Sequence, residues 1–420
     1  MRSGDIIDKT ALQSIKEIGS AEVVVGVPSY NNARTIPHVV RAVSAGLAKY
    51  FPDVKAVLVN SDGGSTDGTQ SAVLEAKVED LHAILVSHRL HPIHKIVTPY
   101  HGIPGKGSAL RAIIEVAALL GARAVAVVDS DLRSITPEWV ELLVGPVLKE
   151  NFDYVAPRYA RHKYDGTITN TIVYPVTRAL YGKRIRQPIG GDFGFSGRLA
   201  VHFRSFDVWD TDVARYGIDV WMTTTAVADG FKVCESFLGA KIHDPKDPST
   251  DLSSMLQQVV GCVFDLMGQY EAAWKDTSGP GSVRVPLFGL PYEVGLEPVQ
   301  IDLDRMIAGF RQGMELRSIW KRFLAESTIQ HLSAVSASAE IRFPDELWAR
   351  LVYDFSVAHH KRVLAREHVL PSITPLYLGK VASLFSETRD SNHAEVEARI
   401  ETLCNEFEQA VPYLRERWRA

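Results

Sequence analysis

Ala124-Val-Ala-Val-Val-Asp-Ser-Asp131 is an apolar, β-branched run that ends in two carboxylates one residue apart. A run of this length and composition suits a strand covered on both faces of a parallel sheet, and ligands in open α/β sheets sit outside the carboxyl ends of such strands. Asp129 and Asp131 therefore fall where chemistry is done. Carboxylate oxygens are hard donors that suit Mg²⁺ or Mn²⁺, ions that in turn hold phosphates. The competing reading makes both acids caps of the next helix, but Thr136-Pro137-Glu138 already offers an N-cap, an N1 proline and an acidic first turn.

Outward from that stretch the pattern alternates. Residues 21–27 read as an apolar strand, and Ile36, Val40, Val43 and Leu47 then recur on one face of a helix. Residues 55–60 read as a second strand running into the turn cluster Ser61-Asp-Gly-Gly-Ser-Thr-Asp-Gly68. A third strand is predicted over 81–87 and a helix over 108–120. Strands alternating with helices predict an α/β fold with a doubly wound, mostly parallel sheet. Past residue 150 we read strands at 154–157, 193–196 and 232–238 and helices at 172–180 and 218–228. Thr277-Ser-Gly-Pro-Gly-Ser282 has linker composition and divides the chain into domains 1–276 and 277–420. Beyond it, Leu303, Ile307, Phe310 and Met314, and again Val396, Ile400, Leu403 and Phe407, are helical packing faces, so the last third is a helical C-terminal extension.

The chain has 420 residues, 23% of them charged, and a net charge of -4 with no block of like charge. That balance argues against nucleic acid as a partner and leaves a small anionic ligand open. Three widely spaced cysteines support neither a disulfide framework nor a cysteine zinc site. No apolar stretch of about 18 residues exists, and the first residues lack the apolar core of a signal peptide. The expectation is a cytoplasmic protein without a membrane span. Apolar stripes on the C-terminal helices suit a homodimer.

Several loops meet the same sheet edge. Val27-Pro-Ser-Tyr-Asn-Asn32 follows the first strand and could frame a planar base. Asp62 follows the second, where it either accepts from a base N–H or serves the turn; Asp67 reads as a turn and cap residue. Pro104-Gly-Lys-Gly107 precedes a helix, so its glycines could let backbone approach a phosphate while Lys106, in a surface loop, adds charge at a helix N-terminus. The motif lacks P-loop spacing. His243, past the strand at 232–238, could complete an Asp, Asp, His set around a divalent cation with positions left for a diphosphate.

The order Val27-Pro28, Gly64-Ser-Thr-Asp67, Pro104-Gly-Lys-Gly107, Asp129-Ser-Asp131, Gln187-Pro-Ile-Gly-Gly-Asp192, Tyr216-Gly-Ile-Asp219 and His243 resembles the retaining GT-A glycosyltransferases that make glucosyl-3-phosphoglycerate, mannosyl-3-phosphoglycerate and mannosylglycerate. The similarity runs from about residue 22 to about residue 250. It implies a Rossmann-like GT-A domain. By this resemblance Pro28, Ser29, Tyr30 and Asp62 hold the nucleoside, and Lys106, Asp129 and Ser130 belong to the nucleotide-sugar site. Asp131 and His243 are the metal ligands. Gly191, Asp192 and Asp219 line the donor sugar and the reaction centre. Thr169, with Arg158 and Arg161 nearby, falls on the acceptor side, although Arg158-Tyr-Ala-Arg161 does not reproduce the basic acceptor segment of the phosphoglycerate enzymes.

The expected activity is metal-dependent, retaining transfer of a hexose, glucose or mannose, from a GDP-, UDP- or ADP-sugar to glycerate, 3-phosphoglycerate or a similar hydroxy acid. Three rivals share these features: an inverting GT-A transferase, a sugar nucleotidyltransferase and a non-catalytic nucleotide-sugar sensor. Membrane synthases of the first kind carry Gln-x-x-Arg-Trp; here Leu414 stands where that glutamine should be, before Arg417-Trp418.

Overall fold

A computed structural model describes residues 6–76, 93–100, 102–242, 248–276, 281–292, 296, 299 and 301–420. The chain packs as two compact units, one of residues 1–160, 187–246 and 285–295, the other of 161–186, 247–284 and 296–420. In chain order the strands are β1 Val23–Ser29, β2 Ala56–Asp62, β3 His94–Pro99, β4 Ala124–Val127, β5 Tyr154–Ala160, β6 Lys183–Arg184, β7 Phe193–Ser196, β8 Val233–Ala240, β9 Val283–Arg284 and β10 Leu287–Phe288.

The first unit holds an eight-stranded sheet in the order β10-β8-β5-β7-β4-β1-β2-β3. All its pairings are parallel except those of β7, which runs antiparallel to β4 and β5. Successive strands move outward from β1 through β2 to β3, and β4 then returns to the other side of β1. That reversal is a topological switch, where open α/β sheets form a crevice beyond the strand ends. β1, β2, β4 and β8 are buried along their whole length, which is why they read as continuous apolar runs rather than alternating ones.

Ile36, Val40, Val43 and Leu47 all lie on the buried face of the Ile36–Tyr50 helix, as their spacing predicts, against β-sheet residues of the same core. The strand predicted at 81–87 lies outside the described residues. The sheet-edge strand β3 follows it in sequence. The short strand at 193–196 is β7, and its reversed direction was invisible to periodicity because pairing direction is a tertiary property.

The second unit is helical, with long helices at Pro248–Gln269, Asp345–His360, Arg366–Glu387 and His393–Gln409. The packing units differ from the expected 1–276 and 277–420, since 161–186 and 247–276 pack with the C-terminal helices. Buried ion pairs explain the assignment of 161–186. Arg178, in the Tyr174–Tyr181 helix, donates to Glu401 at 2.7 Å, Glu408 at 2.8 Å and Asn405 at 2.6 Å, while Arg186 grips Glu397 with two bonds of 2.7 and 2.8 Å. Tyr174 packs in one cluster with Val396, Ile400 and Cys404.

With its side chain only 2% exposed, Arg178 cannot be removed without leaving its acidic partners short of a donor. Arg178→Ala should cost about 1.5–3 kcal/mol of stability, the scale for losing hydrogen bonds to a charged group, since Glu401 and Glu408 stay partly solvated. Guanidinium unfolding measures it; an unchanged midpoint would show that this network does not tie 161–186 to the helices.

Candidate active site

The switch between β1 and β4 is closed at its base by hydrogen bonds among three loops. Ser130 donates from its hydroxyl to Asn32 Oδ1 at 2.8 Å, and Thr35 Oγ1 donates to the Ser130 carbonyl at 2.9 Å. Asn31 N–H donates to Ser65 Oγ at 2.8 Å, Thr66 N–H to Asn31 Oδ1 at 3.0 Å and Asn32 N–H to Thr69 Oγ1 at 2.9 Å. Asp67 accepts from the backbone N–H groups of Ala33 and Thr69, the turn role expected of it, but the N-cap of the Thr69–Glu75 helix is Gly68 and not Asp67.

Asp62 takes the turn role and not that of a base acceptor. It is fully buried, and its carboxylate accepts from Gly64 N, Ser65 N, Ser65 Oγ, Ser29 Oγ and Gln70 Nε2 at 2.6 to 3.0 Å. A carboxylate has about four lone-pair sites, so five donors saturate it. Burial works against its ionisation, but these bonds outweigh burial and hold the carboxyl below its ordinary range. Ser29 is likewise committed, accepting from Asn60 Nδ2 while donating to Asp62, and Pro28 is enclosed in β1. The aromatic ring left at the edge is Tyr30, 63% exposed. It lies beside Gly63, where an added Cβ would come within 3.1 Å of both Tyr30 Cδ2 and Tyr100 Oη.

Beneath this edge three carboxylates and two ammonium groups share one buried cluster. Asp129 Oδ1 faces Lys106 Nζ at 2.9 Å and Oδ2 faces Lys241 Nζ at 2.7 Å. Lys241 also donates to Asp192 Oδ2 at 2.7 Å and to the Gly190 carbonyl at 2.8 Å, and Lys106 donates to the Gly191 carbonyl at 2.9 Å. Asp192 accepts further from Asp129 N at 2.7 Å and from the Tyr159 hydroxyl. Asp219, at the start of the Ile218–Ala228 helix, brings its Oδ1 to 3.5 Å from Lys106 Nζ, and that oxygen accepts no hydrogen bond from the described residues. Burial pushes the carboxyls of Asp192 and Asp219 up, while for Asp129 the two lysines overcome burial and hold it well below the carboxylate range. Burial would lower Lys106, but Asp129, Asp219 and Asp192 together raise it.

Lys106 is thus no surface-loop residue. It opens the Lys106–Leu119 helix with its side chain 17% exposed. Its flanking glycines serve protein packing: a Cβ on Gly107 would lie 1.8 Å from the Val213 carbonyl oxygen and one on Gly105 2.6 Å from that of Ala214. Gly107 N–H donates to Arg215 O and Gly105 N–H to Tyr100 Oη. The amides expected to cradle a phosphate are therefore engaged by the protein itself.

Asp129 does not fit a metal, since each of its oxygens already faces an ammonium. Asp131, partly exposed beyond β4, is a hard donor of the kind that holds Mg²⁺ together with substrate phosphates. His243 lies outside the described residues, and among the described residues no three metal-ligating side chains converge. Of the acceptor candidates, Arg158 is in β5 with Nη1 3.9 Å from Glu235, whereas Arg161 and Thr169 belong to the helical unit. Sequence reasoning missed Lys241 and Tyr159. Lys241 carried a signal, standing immediately past a fully buried strand and two residues before His243; Tyr159 carried none beyond its place near the end of β5.

Residues 24–201 match the model of the family described as Glycosyl transferase family 2. The chain carries that domain on its mostly parallel α/β sheet and is a glycosyltransferase. It is similar to glucosyl-3-phosphoglycerate synthase of Mycolicibacterium smegmatis (strain ATCC 700084 / mc(2)155), with 26% identity over 266 residues, 59% of this chain and 78% of that one. Among solved structures, glucosyl-3-phosphoglycerate synthase from Mycobacterium tuberculosis in complex with Mn²⁺, UDP-glucose and phosphoglyceric acid aligns at 22% identity and a TM-score of 0.45, covering 60% of this chain and 84% of that one. The same enzyme in complex with Mg²⁺ and UDP aligns at 22% identity and a TM-score of 0.45, covering 60% and 83%.

Replacing Lys241 with methionine should lower stability by about 3 kcal/mol, because Asp129 and Asp192 lose a shared cation in a buried site. Urea unfolding reads the change, and a midpoint equal to wild type would reject the cluster as a structural element. Gly191 has φ +93, and a Cβ there would lie 2.5 Å from Asp129 Oδ2 and 2.6 Å from Lys241 Nζ. Gly191→Ala should cost about 1–3 kcal/mol from backbone strain alone, with loss of transferase activity as the cluster is displaced; full activity with wild-type stability would show that the loop accommodates a side chain.

Proposed function

We propose that the protein is a metal-dependent, retaining glycosyltransferase that moves a hexose, glucose or mannose, from a nucleotide diphosphate sugar to glycerate, 3-phosphoglycerate or a similar small hydroxy acid. The observation that carries this reading is the switch point between β1 and β4, where the exposed ring of Tyr30 and the carboxylate of Asp131 occupy the two loops that border the crevice. The similarity to glucosyl-3-phosphoglycerate synthase supports the choice of donor and acceptor class.

In this reading Tyr30 stacks on the nucleoside base, and Asp131, with His243, holds Mg²⁺ or Mn²⁺. The cation, when bound, neutralises charge on the diphosphate. Lys106 contributes positive potential from below the sheet edge without leaving Asp129, since a preorganised charge need not move to act. The Gly190-Gly191-Asp192 loop, held by both lysines, shapes the donor sugar's seat, and Asp219 orients a sugar hydroxyl. The acceptor hydroxyl attacks the anomeric carbon on the face from which the diphosphate departs; one C–O bond forms as the other breaks, and the proton passes to the departing phosphate. Arg158, Arg161 and Thr169 are the acceptor-side residues.

A matrix of nucleotide sugars against hydroxy acids, with Mg²⁺ or Mn²⁺ and nucleoside diphosphate release as the readout, tests this. Turnover should need both a donor and a hydroxy acid. Pyrophosphate release in its place would identify a nucleotidyltransferase. Asp131→Ala should reduce turnover by about 100-fold or more, the scale for losing one preorganised electrostatic partner; wild-type rate at low metal concentration would remove Asp131 from the site. An α-linked donor should give an α-linked product by NMR, and a β-linked first product would reject retention.

A further inference from the structure

The segment that carries Arg161 and Thr169 is held within the helical unit by a set of contacts from both of its ends. Lys163 points its ammonium at the exit of the Arg366–Glu387 helix and donates to three carbonyls, Thr388 O at 2.9 Å, Arg389 O at 2.6 Å and Ser391 O at 3.0 Å. An ammonium has three donors, so Lys163 is saturated by three carbonyls of the turn that follows the helix. The next residue, Tyr164, sets its ring 4.4 Å from that of Phe385, centroid to centroid. Thr167 exchanges a 2.5 Å hydrogen bond with the buried hydroxyl of Tyr377. Trp348 Nε1 then donates to Thr171 O at 2.8 Å, which fixes the far end of the segment.

Between these anchors the chain folds back on itself. Gly166 takes a left-handed conformation, φ +67, and a Cβ there would lie 3.5 Å from Arg161 Nη1 and 3.8 Å from Thr169 Oγ1, so the two side chains flank one glycine. Arg161 pairs with Asp165 at 3.4 Å, and Asn170 Nδ2 donates to Asp165 O at 3.1 Å. Thr169 opens a π-helical turn, Thr169–Val173, a rare form that is frequent at functional sites. Holding a short segment of irregular backbone in one shape costs conformational entropy that its surrounding contacts must offset. Here Lys163, Tyr164 and Thr167 provide those contacts.

We propose that Lys163 and Tyr377 are positioning residues for acceptor recognition: they touch no substrate, and they hold the 161–173 segment in the one shape that aligns Arg161 and Thr169. The inference rests on the acceptor role given to those two residues above. Its consequence is quantitative. A segment that occupies its competent shape only a tenth of the time raises the apparent acceptor constant about tenfold while donor affinity is untouched.

The test uses the full-length enzyme with Lys163→Met, Lys163→Arg and Tyr377→Phe, read in two ways. Acceptor and donor KM are measured separately, and amide hydrogen exchange is followed over 161–173. Lys163→Met should raise acceptor KM about tenfold and speed exchange in that segment, leaving donor KM near wild type. Lys163→Arg should restore most of the loss, since a guanidinium can still serve the helix carbonyls. Tyr377→Phe should move the same two readouts in the same direction without opening a cavity. Wild-type acceptor KM in both Lys163→Met and Tyr377→Phe would overturn the proposal, whatever the exchange rates. So would an equal rise in donor KM, which marks general unfolding. A wild-type enzyme that transfers to no hydroxy acid would instead defeat the functional reading on which the proposal stands.

Discussion

The ammonium of Lys241 lies between Asp129, Asp192 and the Gly190 carbonyl, and the geometry of the sheet edge depends on that contact. Three elements meet there: the loop after β4, the loop before β7 and the end of β8. Neither loop could bury its carboxylate alone, because an isolated ionised acid in a low-dielectric interior is prohibitively costly. Lys106 supplies the second cation from the start of a helix, and Tyr159 adds a hydroxyl from β5. The cluster still holds one more carboxylate than ammonium group. Burial resolves the imbalance by raising Asp192 and Asp219 while Asp129 stays ionised between its two lysines.

This arrangement separates the supporting polar groups from those that face the crevice. Asp62, Ser29, Ser130 and the amides of Gly105 and Gly107 are all engaged within the protein. They define where the loops go. The ring of Tyr30 is exposed at the end of β1, and Asp131 is partly exposed beyond β4. A site built in this way keeps its binding groups few and its scaffold rigid, as preorganised electrostatics requires.

The helical unit does more than extend the chain. It recruits 161–186 through Arg178 and Arg186, and it shapes 161–173 through Lys163, Tyr164 and Thr167. A division of the chain at the Gly- and Pro-rich stretch near residue 280 misses this, since composition marks where a chain can bend and not which core claims each side of it.

Local pattern alone was sufficient for the α/β class, the parallel run of β1, β2 and β4, the Ile36–Tyr50 helix, all but the first turn of the Lys106–Leu119 helix, and the position of Asp129 and Asp131 just past β4, whereas Asp192 and Asp219 were singled out only by the order of motifs shared with a known family. Those features follow from periods of 2 and 3.6 residues, from glycine and proline punctuation, and from motif order, all of which are written along the chain. What tertiary structure decided was the partner of each polar group. Asp62 read equally as a base acceptor or a turn residue until five donors were found on it, Lys106 looked like a surface cation until two carboxylates and a carbonyl enclosed it, and Lys241 was passed over because its partners lie 49 and 112 residues away. Which carboxylate stays ionised, which amide is spent and which side chain is left at the rim depend on distances between segments remote in sequence, and electrostatic energy is a function of those distances.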